Sequence, residues 1–121
     1  MKPTIHQPDS STEILTAEGC WILESWNDPG DDTASIARAR VTPGTTTQRH
    51  FLRGVNERYL ILVGSGLMKI GTMAPAQVGP GDIVLIPAGE SQQITNNGAT
   101  DLIFYCLCTP RFTPGCYQSL E

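Results

Sequence analysis

The sequence predicts an all-β fold, and three observations support this prediction. Glycine and proline are abundant, with 12 and 9 of the 121 residues, which is typical of a chain with many tight turns. Short runs rich in β-branched and aromatic residues alternate with these turns. No amphipathic stretch reaches the length of a helix, and no repeat of about 20–50 residues indicates a solenoid or propeller. We therefore expect a single domain built as an antiparallel sandwich or closed barrel.

Eight short strands are expected along the chain, and each is bounded by residues that favour turns. They cover residues 20–26, 34–41, 48–52, 57–63, 67–72, 83–86, 92–96 and 102–108.

The first four strands are separated by turns that contain proline or glycine. Residues 27–30, Asn-Asp-Pro-Gly, close the first strand, and Pro43 with Gly44 breaks the chain after the second. A turn at Gly54 ends the short third strand. The fourth strand, 57–63, combines β-branched and aromatic residues, a composition that fits a pleated, half-buried surface.

The last four strands are bounded in the same way. The turn at 64–66 leads into the fifth strand, and Gly-Pro-Gly-Asp at 79–82 precedes the apolar sixth strand. Residues 87–89, Pro-Ala-Gly, end that strand. Asn97 and Gly98 favour a tight hairpin between the seventh strand and the strongly apolar eighth.

The chain divides into three segments by composition. Residues 1–18 form a polar N-terminal arm, in which Ile5, Ile14 and Leu15 are isolated apolar residues. Residues 19–112 hold all eight expected strands and form the barrel domain. Residues 113–121 are expected to be a C-terminal tail.

Charge and cysteine content exclude several classes of function. The formal net charge is −4 and only Lys2 and Lys69 are lysines, so neither nucleic acid nor a membrane surface is an expected partner. The longest apolar run, 102–108, is too short to span a bilayer, and residues 1–18 lack the pattern of a signal peptide. The four cysteines lack paired C-x-x-C spacing and are expected to be small buried residues in a reducing compartment. We therefore expect a cytoplasmic protein.

Two stretches of the chain carry a regular spacing of glycine, histidine, glutamate and proline. The first places Gly44, His50, Leu52, Glu57 and Gly64 at the spacing G-x5-H-x-[L]-x4-E-x6-G. The second has the spacing G-x5-P-x-G-x2-[Q]-x3-N and comprises Gly81, Pro87, Gly89, Gln92 and Asn96.

These two stretches resemble the paired signatures of the cupin superfamily. Every spacing is kept, but Leu52 and Gln92 stand where the family has histidine. The resemblance implies a double-stranded β-helix, or jelly-roll barrel, of the small single-domain bacterial type, commonly a homodimer with a small-molecule ligand inside the barrel. Some cupins are metal-dependent dioxygenases, isomerases or lyases and others only bind ligands, so the resemblance leaves open whether the chain is an enzyme.

Period-two alternation predicts which of these side chains point into the barrel. On a strand, residues two apart share a face, so His50 and Leu52 point together. Glu57 and Tyr59 share the inner face of the next strand, and Gln92 faces inward from another. We expect His50, Glu57 and Gln92 to meet around a divalent transition metal (Fe, Mn, Ni or Zn), since imidazole and carboxylate suit such ions. Tyr59 is the candidate catalytic residue.

Three alternatives stay open at this stage. A second register pairs Gln48 with His50 as the metal-binding pair, at the cost of two of the signature spacings. Glu57 has Arg38 or Arg40 as possible partners in place of a metal. The ligand is expected to be a small polar or acidic metabolite; the rival is a metal-free binding or regulatory module for a sugar-like or acidic ligand. In either case the expected lining residues are Leu52, Ile61, Ile94 and Cys106.

The N-terminal arm suggests a role in assembly. It has too few apolar residues to form a core of its own, and such a segment either frays or docks on a neighbouring sheet. We expect a homodimer in which the arm lies along the outer sheet of the partner, with Trp21 or Trp26 near the contact, because aromatic residues are favoured at interfaces.

Overall fold

The computed structural model covers residues 1–121 and confirms the all-β prediction. The eleven strands are β1 (Ile14–Leu15), β2 (Trp21–Trp26), β3 (Ser35–Val41), β4 (His50–Leu52), β5 (Asn56–Val63), β6 (Gly66–Ile70), β7 (Ala76–Val78), β8 (Ile83–Ile86), β9 (Gln92–Thr95), β10 (Leu102–Thr109) and β11 (Tyr117–Ser119). The helical content is limited to two three-residue 3-10 turns, at Ser10–Thr12 and Pro114–Cys116. No helix is both long and apolar enough to cross a membrane.

The strands form two antiparallel sheets that enclose the interior of a jelly-roll barrel. The larger sheet has the order β1-β2-β3-β10-β5-β8, and the smaller has the order β11-β4-β9-β6-β7. Sequence neighbours such as β4 and β5 lie in different sheets, so the turn at Gly54 carries the chain from one sheet to the other. This arrangement confirms the predicted double-stranded β-helix.

All eight predicted strands are present, with small shifts at their ends, and three further strands were not predicted. The sequence analysis assigned residues 113–121 to a tail, but β11 pairs with β4 at the edge of the smaller sheet. In the same way β1 joins the arm to β2, and β7 pairs with β6. These strands are two or three residues long and lack an apolar alternation of their own, and their backbones are held by the neighbouring strand.

The core lies between the sheets and follows the alternation of β10. Leu102, Phe104, Cys106 and Cys108 are all buried, while the residues between them are only partly buried. The same alternation along β3 turns its alanines inward and its arginines outward. A chain with this pattern on both sheets buries one face of each, as a two-layer β fold requires.

The outer face of the larger sheet carries exposed apolar residues. Arg38, Tyr105, Leu60 and Ile83 form one cross-strand row, because Tyr105 is paired with both Arg38 and Leu60, and Leu60 is paired with Ile83. Leu60 and Ile83 are 41% and 63% exposed. The N-terminal arm passes beside this face, where the rings of His6 and Trp26 meet edge to face at 5.8 Å.

Candidate functional site

A cavity of about 380 Å³ lies between the two sheets, within the range of small-molecule pockets. Most of its wall is apolar. The larger sheet contributes Ile22, Ala37, Ala39, Phe104, Cys106 and Cys108, and the smaller sheet contributes Leu52 and Ile94. Interiors of proteins are normally packed without voids of this size, so the cavity is a candidate binding site.

The N-terminal arm covers part of this cavity. Thr12, Ile14, Thr16 and Glu18 all line it, although Ile14 is also 62% exposed. The arm is held by Glu13, which binds to the outer face of β3: its carboxylate lies 2.6 Å from Arg40 and 3.6 Å from Arg38. The arm therefore forms part of the site.

His50 faces the cavity with one ring nitrogen free. Its Nδ1 lies 2.8 Å from the carbonyl oxygen of Gln48. A carbonyl only accepts, so Nδ1 carries a proton and donates it in this hydrogen bond. No hydrogen bond is made to Nε2. The ring is stacked on Tyr117 at 4.5 Å, and the carboxylate of Glu18 lies 3.7 Å from Nδ1.

Glu57 is buried in the cavity wall without a cationic partner. Its side chain is 8% exposed, and its only hydrogen bond is a long one, from the thiol of Cys108 to Oε2 at 3.5 Å. Oε1 has no hydrogen-bond partner. Burial raises the pKa of Glu57, an effect that the neighbouring Gln92 amide and His50 ring offset only in part.

The arginines proposed from the sequence as partners of Glu57 lie on the other side of the sheet. Arg38 and Arg40 are on the outer face of β3 and pair with Glu13, and Arg40 also stacks on Trp21 at 5.0 Å. The residues of β3 that face the cavity are Ser35, Ala37 and Ala39. The interpretation of Arg38 or Arg40 as the partner of Glu57 is therefore wrong.

Tyr59 and Gln92 form a buried pair. The hydroxyl of Tyr59 donates to Oε1 of Gln92, while Nε2 of Gln92 has no hydrogen-bond partner. Gln92 is 1% exposed and lies behind the cavity wall, whereas Tyr59 lines the cavity. Burial raises the pKa of Tyr59 well above its usual value, so its side chain is a neutral phenol at neutral pH.

The four residues expected to line a ligand pocket divide into two groups. Leu52, Ile94 and Cys106 line the cavity. Ile61 is 1% exposed and packs in the core beside the cavity without lining it. Gln48, from the alternative register, is used in fixing the site: its carbonyl accepts from His50, and its side chain accepts from the hydroxyl of Tyr117.

The donor set offers a divalent metal fewer protein ligands than such sites usually have. No group of three or more His, Cys, Asp or Glu side chains is placed to hold a metal ion. Leu52 offers no donor, and Oε1 of Gln92 is already bonded to Tyr59. His50 and Glu57 remain, whereas catalytic zinc sites keep three protein ligands. The residues present therefore fit a resident metal poorly, and the metal ion stays a prediction.

Sequence reasoning did not identify two acidic residues of this cavity. Glu18 lies in the arm, which shows no strand pattern, and no sequence signal indicated that it turns inward. Glu24 lies on β2 two residues after Ile22 and four after Cys20, both of which line the cavity. Alternation along β2 was therefore sufficient to place Glu24, which is exposed and marks the point where the cavity reaches solvent.

Comparisons with known proteins agree with this fold. No protein-family model matches the chain. The chain is 38% identical over 70 residues to the oxalate-binding protein of Thermotoga maritima; the match covers 57% of this chain and 56% of that protein, so the chain spans about half the length of that relative.

Two solved structures show the likeness over most of the chain. A predicted oxalate decarboxylase from Thermotoga maritima is 24% identical with a TM-score of 0.73, covering 86% of this chain and 98% of its own. Pac13, a nucleoside dehydratase of Streptomyces, is 15% identical with a TM-score of 0.79, covering 98% and 92%. These likenesses identify the fold as a cupin-type barrel.

Proposed function

We propose that this chain is a small single-domain cupin whose barrel cavity binds a small organic molecule without requiring a metal. The observation that carries the proposal is the cavity of about 380 Å³ with two polar atoms that face it unpaired, Nε2 of His50 and Oε1 of Glu57. The oxalate-binding protein of Thermotoga maritima, a partial relative, supports a ligand-binding role.

The unpaired atoms favour a ligand that donates hydrogen bonds. Both belong to side chains that line the cavity from rigid strands, and neither has a hydrogen-bond partner in the protein. A ligand that donates to them takes the place of water at these two atoms. The apolar wall around Phe104 and Ile94 then contributes affinity by excluding water from the body of the ligand.

A substitution that fills the cavity tests this proposal. Ala37 lines the cavity on β3, and Ala37→Phe places a ring inside it. Ala76→Phe, on the exposed strand β7, adds the same ring outside the cavity. We expect the neutral probe benzyl alcohol to raise the melting temperature of the wild type and of Ala76→Phe but not of Ala37→Phe. An equal response in all three proteins contradicts binding in the cavity.

A divalent metal ion (Fe, Mn, Ni or Zn) on His50 and Glu57 is the second candidate, and it is favoured by one observation: both side chains line the same cavity. If such an ion is present, the family resemblance implies dioxygenase, isomerase or lyase chemistry, with Tyr59 as the nearby hydrogen-bonding group. Metal analysis of protein purified without a histidine tag tests it. Metal that is present in the wild type and absent from His50→Ala supports this candidate, and none in either protein refutes it.

The Leu52→His variant sharpens the same test. It restores the histidine of the family signature beside His50, and imidazole is a better donor than water. A gain in zinc or manganese affinity supports the shared inward face of these two residues as the metal-binding face, whereas no gain argues against it.

We further propose a homodimer in which a second copy covers the outer face of the larger sheet. Ile36, Leu60, Ile83 and Leu85 are exposed there, and contiguous exposed apolar surface marks interaction sites. Light scattering of the full chain and of a chain lacking residues 1–18 tests both the dimer and the role of the arm. A monomeric full chain refutes the dimer. If the truncated chain is still a dimer, the arm has no role in dimer formation.

A further inference from the structure

The charges that line the cavity are all of one sign. Three carboxylates line it, those of Glu18, Glu24 and Glu57, and the lining contains no lysine or arginine. The only group there able to carry a positive charge is His50, whose Nδ1 is already directed at the carbonyl of Gln48. The lining therefore offers three carboxyl groups and no lysine or arginine to pair with them.

Glu57 shows where such pairing is most lacking. It is more than nine-tenths buried, yet Oε1 has no partner and Oε2 has only a thiol at 3.5 Å. Glu18 is only partly buried; its Oε1 lies 3.4 Å from the thiol of Cys20 and its Oε2 lies 3.7 Å from Nδ1 of His50. Buried carboxylates are normally paired with a cation or with several hydrogen-bond donors.

We infer that the ligand of this cavity is an organic amine, with its ammonium group at Glu57 and Glu18 and an apolar body against the larger sheet. This inference rests on the proposed function and names its ligand class. An ammonium group supplies three donors and a positive charge, which are what the two carboxylates lack.

The walls of the cavity suit the rest of such a molecule. The rings of Phe104 and Tyr59 are 4.4 Å apart and tilted by 33°, and Tyr117 is stacked on His50. Aromatic faces attract cations as well as apolar groups. Ala37 and Ala39, on the same sheet as Phe104, leave space beside that ring because their side chains are small.

The same charges disfavour a free carboxylate ligand. Oxalate, after which the Thermotoga relative is named, carries two negative charges and finds no lysine or arginine in this cavity. Like charges at close range in a buried site repel strongly. An oxalate-binding activity here requires a cation that the lining residues do not provide.

Three probes of similar size and different charge test the inference: benzylamine, benzyl alcohol and benzoate. Calorimetric titration is carried out on the wild type, on Glu57→Gln and on Glu90→Gln, an exposed glutamate outside the cavity. We expect benzylamine to bind the wild type about tenfold or more tightly than benzyl alcohol, and benzoate most weakly. Glu57→Gln should abolish the preference for the amine, and Glu90→Gln should retain it.

Each other outcome has a definite meaning. Benzyl alcohol that binds as tightly as benzylamine, or benzoate that binds more tightly, overturns the amine inference and leaves the proposed cavity function standing. Failure of all three probes to bind overturns both. If circular dichroism shows that Glu57→Gln is unfolded, Glu18→Gln takes its place, and an unchanged amine preference in that variant overturns the inference.

Discussion

The two faces of β3 are one residue apart in sequence and opposite in chemistry. Arg38 and Arg40 project outward and bind Glu13 of the arm, whereas Ala37 and Ala39 project inward and line the cavity. The strand thus places its positive charge on the surface and leaves Glu57 inside without a cation. This comparison shows that alternation along β3 keeps both of its arginines out of the cavity.

The largest difference between the inner and outer faces of the larger sheet should be in how much their apolar side chains contribute to the free energy of unfolding. Phe104 is 2% exposed in the core, so Phe104→Ala should lower the free energy of unfolding by about 3–5 kcal/mol. Ile83 is 63% exposed on the outer face, and Ile83→Ala should change it by about 0.5 kcal/mol or less in the monomer. Urea denaturation measures both changes in the free energy of unfolding, provided that its slope against urea concentration is the same in the wild type and the variants. Equal losses would contradict the assignment of inner and outer faces.

Glu57 should oppose folding when it is ionised. Its pKa is raised in the folded state by burial, so the folded chain binds this proton more tightly than the unfolded chain. Stability is then greatest at low pH and is lost as the pH rises through the raised pKa. Glu57→Gln should remove this loss and stabilise the apo protein near neutral pH by on the order of 1 kcal/mol.

Thermal melting of wild type and Glu57→Gln across the acidic to neutral range measures this effect. Glu90→Gln is the control, since that residue is exposed. A wild type whose stability increases in step with Glu57→Gln over the whole range would contradict the raised pKa.

Glu13, outside the barrel, should affect the pH dependence of stability in the opposite direction to Glu57, and its effect should be smaller. The hydrogen bond from Arg40 lowers the pKa of Glu13, so its stabilising contribution is present above the unfolded pKa and is lost as the pH falls through the folded pKa. The ion pair lies at the surface, where such pairs contribute about 1 kcal/mol or less. Glu13→Gln should cost no more than that in melts near neutral pH, and the cost should shrink in acid or in high salt. A cost that grows in acid would contradict the ion pair.

The barrel itself was predictable from the sequence, because it depends on local signals. Turn residues bounded the eight predicted strands, and the spacing from Gly44 to Asn96 indicated how they meet. The three strands that were missed, among them β11, are held by backbone pairing with a neighbour and not by a pattern of their own.

The site was predictable only in part, for a different reason. Alternation brought His50, Glu57 and Tyr59 to one cavity, whereas Gln92, which was expected to meet His50 and Glu57, does not line the cavity and is bonded to Tyr59. The contribution of Glu18 depends on the path of the arm across the barrel, which no local pattern describes. The pairing of Arg38 and Arg40 with Glu13 spans long sequence separations, so the sequence left their role open.

A crystal structure of the protein with benzylamine tests the central claim most directly. The account predicts the probe between the two sheets, with its nitrogen within hydrogen-bonding distance of the Glu57 carboxylate and its ring against Phe104. A probe bound outside the barrel, or bound inside with its nitrogen directed away from both Glu57 and Glu18, would contradict it.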